Sequence, residues 1–221
     1  LKALVAFAKF NGNYESFTKS IKSNGIHWIN KNGFDSFLRI MNNNHTDVTE
    51  WYRKTQAVLS DNERLFLKFT LLSGIRKGES VRSFNRIIEL HKQNRLNEYY
   101  DDKQQILKHY QYKDNLRRTK NLYISIVPKE LIDQVKESEP ISYHALRKHL
   151  NKNKLNIEIK PLRSMFATFL RNKAVMSEII DLLQGRIESS SVFLQHYLKL
   201  DLSSLSNQIL PILRDLLTSV F

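Results

Sequence analysis

A chain of 221 residues with 41% hydrophobic residues can bury a core, and its net charge of +13 favours a polyanionic partner. No apolar run approaches the roughly 18 residues of a membrane span, and no signal-peptide pattern is visible. The absence of Cys excludes disulfides and Cys-based metal sites, and the seven His show no HExxH pairing. Nucleic acid is therefore preferred to an anionic membrane, and a zinc site is not expected. Gly (6) and Pro (4) are scarce, which predicts a mostly helical protein. The first residue is Leu1 rather than Met, so a fragment of a longer chain is expected.

Residues 1–23 are predicted as a helix or helix pair, with Leu1, Leu4, Val5 and Ala8 at helical spacing and a stop at Asn24-Gly25. A short helix over Phe34 to Met41 and an Asn-rich turn, Asn42 to Asn44, follow. Thr46 or Asp47 is expected to cap a helix carrying Trp51, Tyr52, Val58 and Leu59. The next helix begins near Ser60-Asp61, carries Leu65, Phe66, Phe69 and Leu72, and stops at Ser73-Gly74. Segment 104–128 alternates around Ile106, His109-Tyr110 and Tyr112, and again around Leu122, Ile124 and Ile126. It reads as a small antiparallel sheet turning near Asp114-Asn115. Helices are then expected over 128–137, 140–153, 161–172 and 175–184. A last one over 191–221 should break at Pro211. The fold class is mainly α with a small antiparallel β-sheet, divided into an N-terminal helical segment, 1–45, and a larger domain, 46–221.

Four places concentrate chemistry. In Leu72-Ser73-Gly74-Ile75-Arg76-Lys77-Gly78-Glu79-Ser80 one helix ends and another starts near Gly78, so Arg76 occupies a tight corner where a guanidinium can grip a phosphate. In Lys160-Pro161-Leu162-Arg163, Pro161 suits the first helical position, and Lys160, preceding it, is expected to be extended. Both cations then sit at the positive end of a helix, which is unfavourable without an anion. Leu182-Leu183-Gln184-Gly185-Arg186 ends an apolar helix on Gly with a cation beyond it. Finally, SSSVFLQHYLK, residues 189–199, carries Tyr197. Each feature alone has an ordinary structural explanation.

In this order the four pieces resemble the tyrosine site-specific recombinases. LLSGIRKGES is similar to their TGLRxxEL box, KPLRSMFATFL to HxLRHTFATxL, and IIDLLQGR to IQxLLGH, with Tyr197 following Arg186 by 11 residues. Lys160 and Arg186 stand where the family has His, which resembles the integrases of archaeal viruses and plasmids. The resemblance implies a catalytic domain that cleaves and rejoins double-stranded DNA through a 3′-phosphotyrosine, with no metal, cofactor or small-molecule substrate. It further implies a homotetramer on DNA, in the host cytoplasm. Arg76 and Arg163 would clamp the phosphate, Lys160 and Arg186 would add hydrogen bonds, and Tyr197 would be the nucleophile. Glu79 would orient Arg76. A hairpin Lys protonates the leaving oxygen in the family; Lys120 is preferred here, with Lys113 and Lys103 as rivals. The N-terminal segment would form part of a DNA clamp. The apolar C-terminal stripe, Leu202 to Val220, packs either on its own domain or on a neighbour. The alternatives are a type IB topoisomerase-like enzyme and a DNA-binding protein without catalysis.

Overall fold

The computed structural model describes residues 2–25, 48–115, 121–155, 159–186 and 201–220; of Lys2, Asn115, Lys160 and Val220 it describes the backbone alone. The expected helix at 34–41 and the Thr46 or Asp47 cap fall outside these residues, as do Lys120 and Tyr197. Contacts divide the chain into two units, Leu1–His45 and Thr46–Phe221.

In the first unit, α1 (Lys2–Phe10) and α2 (Tyr14–Ser23) pack on each other. They are a pair, not one helix, because Gly12 takes a left-handed φ of 71° between them.

The second unit contains α3 (Val48–Val58), α4 (Asp61–Ser73), α5 (Lys77–Lys92), α6 (Leu96–Tyr99), β1 (Tyr100–Asp101), β2 (Ile106–Lys108) and β3 (Ile124–Ile126). It continues with α7 (Lys129–Lys136), α8 (Tyr143–Lys152), α9 (Lys160–Asn172), α10 (Ser177–Leu183) and α11 (Leu202–Val220). Among the described residues this is the mainly helical fold with a small antiparallel sheet that the composition and the alternation over 104–128 predict.

The core is built around α4. Its N-cap is a complete capping box, in which Ser60 Oγ accepts from the Glu63 N–H and the Glu63 carboxylate accepts from the Ser60 N–H. Phe66, Leu67, Phe69, Leu71 and Leu72 are all fully buried, and α4 packs against α5, α7, α9 and α11. Gly74 ends it at φ 62°, and a Cβ there would stand 2.4 Å from the Phe166 ring of α9. Both the backbone angle and the close approach therefore require glycine. Phe166 thus locks α9 onto the corner that leads to Arg76.

The sheet order is β1-β2-β3, antiparallel throughout, with Tyr100 opposite Leu107 and Ile106 opposite Ile126. Two details differ from expectation. Tyr100–Asp101 adds an edge strand too short to show any period. The His109 to Tyr112 alternation is not strand: 3-10 turns occupy His109–Gln111 and Lys113–Asn115. The reason is a buried polar network. Tyr99 Oη and His109 Nδ1 are 2.7 Å apart, His109 Nε2 and Ser125 Oγ are 2.9 Å apart, and Ser83 Oγ bonds Tyr99 Oη. The 3-10 turn keeps His109 in this network.

Burial, and secondarily the Arg86 charge, push the His109 pKa from 6.5 down to about 3. The folded state therefore keeps His109 neutral, and its contribution to stability is complete above pH 6.5 and lost as pH falls towards 3. His109→Gln is expected to flatten the fall in stability between about pH 6.5 and 5, before carboxylates titrate, by up to about 1.4 kcal/mol per pH unit. Urea denaturation of both proteins across that window checks this; parallel profiles would contradict it.

α11 runs unbroken through Pro211, contrary to the expected break. Pro211 lies on the exposed face, where water can satisfy the Asn207 carbonyl that loses its N–H donor. The opposite face buries Leu205, Ile209, Leu213 and Leu216, and Ser206 Oγ donates to the Gln104 carbonyl. The described part of the C-terminal stripe thus packs on its own domain.

Candidate phosphate-binding site

The end of α10 organises the site. Its apolar face, Ile179, Ile180, Leu182 and Leu183, is buried against α9 and β3. The helix ends at Gln184, followed by Gly185 in a left-handed conformation with φ 58°. The last carbonyls of a helix lack intrahelical donors and carry partial negative charge. Two arginines from different helices use them. Arg163 Nη2 donates to the Gln184 carbonyl at 2.6 Å, and Arg76 Nη2 donates to the Gly185 carbonyl at 2.9 Å.

Arg76 is the N-cap residue of α5, with extended backbone at φ −74° and ψ 152°. Glu79, fully buried, accepts from the Arg76 N–H at 2.9 Å through one oxygen and from Arg76 Nη1 at 2.8 Å through the other. One carboxylate therefore caps the helix and orients the guanidinium.

Arg163 lies in the first turn of α9 and is only 9% exposed. Its Nη1 is buried with no hydrogen-bond partner among the described residues. Burial, then the charges of Arg76 and Arg186, pull its pKa down to about 10, so the guanidinium is still charged at neutral pH. A buried cation beside two others, with one N–H group unsatisfied, is costly unless an anion completes it.

The sequence shows Gln184 only as the last residue before Gly185 at an apolar helix end. It is fully buried, and its Nε2 donates to the Arg163 carbonyl at 2.8 Å, so it grips Arg163 reciprocally. Its Oε1 has no partner among the described residues. The available signal was a polar residue at the end of an otherwise apolar run.

Arg186 is exposed, with Nη1 3.7 Å from Asp181, a loose pair. Lys160 is the first residue of α9, one turn before Arg163, and is not extended as expected. Pro161 is tolerated in this first turn because the first N–H groups of a helix need no intrahelical acceptor, and Lys160 takes a helical conformation that a following Pro disfavours but does not forbid. The Leu162 N–H to Ile159 carbonyl bond of 3.1 Å closes this early turn. Arg76, Arg163 and Arg186 are thus brought together, while Lys120 and Tyr197 fall outside the described residues. Asn121, the residue after Lys120, lies against Gly185: a Cβ on Gly185 would be 2.8 Å from the Asn121 carbonyl oxygen. Of the rivals, Lys103 is exposed on the β1–β2 turn and Lys113 is exposed in a 3-10 turn.

Comparison with protein families matches residues 40–206 to the archaeal phage integrases. The chain belongs to the archaeal phage integrase family. The match spans Arg76, Arg163 and Arg186 and most of the second unit. Integrases recombine DNA, so this integrase acts on DNA as a recombinase in the general sense. No curated protein and no solved structure matched the chain. Among the described residues, no helix is long and apolar enough to cross a membrane, and no group of three His, Asp or Glu could hold a metal ion.

Proposed function

We propose that the integrase cleaves and rejoins duplex DNA through a 3′-phosphotyrosine on Tyr197. The observation that carries this reading is the buried Arg163 guanidinium, with Nη1 unpartnered among the described residues, beside Arg76 and Arg186. A phosphodiester under attack becomes a five-coordinate species with two negative charges, and preorganised guanidiniums stabilise it most where water is excluded.

In the forward step the Tyr197 Oη–P bond forms and the P–O5′ bond breaks. The phenol proton passes to solvent, and Lys120 Nζ gives a proton to O5′. Arg76 and Arg163 neutralise the non-bridging oxygens, with Lys160 and Arg186 donating further hydrogen bonds. One phosphodiester replaces another, so rejoining runs the same steps in reverse without an energy source. The unit Leu1–His45 would serve as part of the DNA clamp, and four copies on two DNA sites would exchange strands in the host cytoplasm. Contacts mainly to phosphates make binding fall steeply with salt.

The test is covalent capture. The full chain is incubated in EDTA with a random-sequence pool of duplexes, each nicked so that cleavage releases a short fragment and prevents rejoining. A denaturant-stable protein–DNA adduct with a free 5′-hydroxyl on the released strand is expected. Absence of any adduct, with binding retained, would leave a DNA-binding protein without strand cleavage.

A further inference from the structure

We infer that Gln184 is a positioning residue for strand cleavage: it grips Arg163 at both ends and so fixes the guanidinium in the register that meets the attacked phosphate. This rests on Arg163 being the phosphate clamp proposed above.

Two bonds of opposite direction join the pair. Arg163 Nη2 donates to the Gln184 carbonyl at 2.6 Å, and Gln184 Nε2 donates to the Arg163 carbonyl at 2.8 Å. The amide can face only one way, because its oxygen would be repelled by the Arg163 carbonyl. One bond holds the tip of the Arg163 side chain and the other holds its backbone. A single residue thus removes the rotamer freedom of a long side chain before DNA arrives. Both partners are shielded: Gln184 is fully buried and Arg163 is 9% exposed. The pair ties the first turn of α9 to the end of α10.

Holding the fold together does not require an amide here. Ile179, Ile180, Leu182 and Leu183 before it are buried and apolar, and an apolar side chain would continue that run. A carbonyl in the first turn of a helix already accepts from an N–H one turn on, so the Gln184 bond is an addition that α9 itself does not need. Gln184 also leaves Oε1 buried without a partner among the described residues, a cost an apolar side chain would not carry. What the amide adds is placement. The Gln184 carbonyl receives Arg163, and the next carbonyl, that of Gly185, receives Arg76 Nη2 at 2.9 Å. Fixing Gln184 against the Arg163 backbone therefore fixes one guanidinium relative to the other, and small misplacements of such groups are costly in rate.

The test uses a duplex captured by the wild-type chain, made also with a methyl group replacing one or the other non-bridging oxygen of the scissile phosphate. The methyl removes charge that a guanidinium would neutralise, so a loss caused by a misplaced guanidinium shrinks on the matching substrate. Gln184→Met keeps the side-chain length and removes the donor. It is expected to release the leaving strand of the ordinary duplex roughly 10- to 100-fold more slowly at saturating DNA. It should bind that duplex like the wild type and unfold at a similar temperature. On the substituted duplex that narrows the gap between Arg163→Ala and the wild type, Gln184→Met should come within a few-fold of the wild-type rate. Should Gln184→Met fail to fold, Gln184→Leu gives the same readout. Equal slowing on ordinary and substituted duplexes, which a generally loosened site would give, overturns the inference, and so does the absence of slowing. If neither substituted duplex narrows the gap for Arg163→Ala, Arg163 is not the clamp and the inference falls with it. If the wild type forms no adduct, the cleavage reading itself has failed.

Discussion

Replacing Arg163 with alanine is expected to lower the rate of adduct formation by about 10²- to 10³-fold, the usual loss on removing one preorganised transition-state donor. DNA affinity should change far less, because a chain with a net charge of +13 has many other cations to meet phosphates. The argument rests on burial. Arg163 spends Nη2 on the Gln184 carbonyl and keeps Nη1 buried without a partner among the described residues. The end of α10 therefore holds the guanidinium in place before DNA arrives, so little reorganisation remains for the reaction. Arg163→Lys should recover little, since one ammonium cannot reproduce a planar fork that reaches a carbonyl and a phosphate together. A rate within a few-fold of wild type for Arg163→Ala would show that Arg163 only supports the fold. Single-turnover cleavage and equilibrium binding on the same duplex separate these cases.

Tyr197→Phe is expected to abolish the adduct while leaving DNA binding intact. The substitution removes one oxygen, the atom that would bond to phosphorus, and preserves the ring. Two other tyrosines are poorly suited as replacements. Tyr99 is buried within its bonds to His109 and Ser83, and Tyr100 is buried with its Oη donating to the Val127 carbonyl. Burial pushes both phenols up, away from ionisation. Persistence of an adduct in Tyr197→Phe would point to a more accessible residue such as Tyr110, which is 48% exposed. Gel detection of adduct on the nicked pool checks this directly.

What was legible in the sequence follows from local chemistry. Ser60 and Glu63 announce the start of α4, and Gly74 and Gly185 mark ends that only a left-handed residue allows. The apolar periodicity of α9, with Phe166 inward, was readable for the same reason. The corner at Arg76 could be found because two helices meet there across a short extended stretch. Long-range relations were less legible. No local pattern says that Arg76 and Arg163, 87 residues apart, donate to successive carbonyls of a third helix end. The ion pair between Asp114 and Arg86 of α5 depends on how the 3-10 turns pack; the first turn, His109–Gln111, falls where the alternation reads as strand, and the second, Lys113–Asn115, where a turn is expected. Pro211 and Lys160 illustrate a different limit. Intrinsic preference predicts a break at Pro211 and an extended Lys160; solvent exposure removes the penalty at Pro211, while Lys160 adopts the helical region that the following Pro disfavours but does not forbid.

In the proposed reaction the three arginines would turn Tyr197, one of nine tyrosines, into a nucleophile with a phosphate to attack. The most direct measurement is to trap the adduct on nicked DNA, digest the protein, and sequence the peptide that carries the nucleotide. The account predicts a single modified residue, Tyr197, within the segment SSSVFLQHYLK. A nucleotide on any other residue, or an adduct spread over several tyrosines, would contradict it.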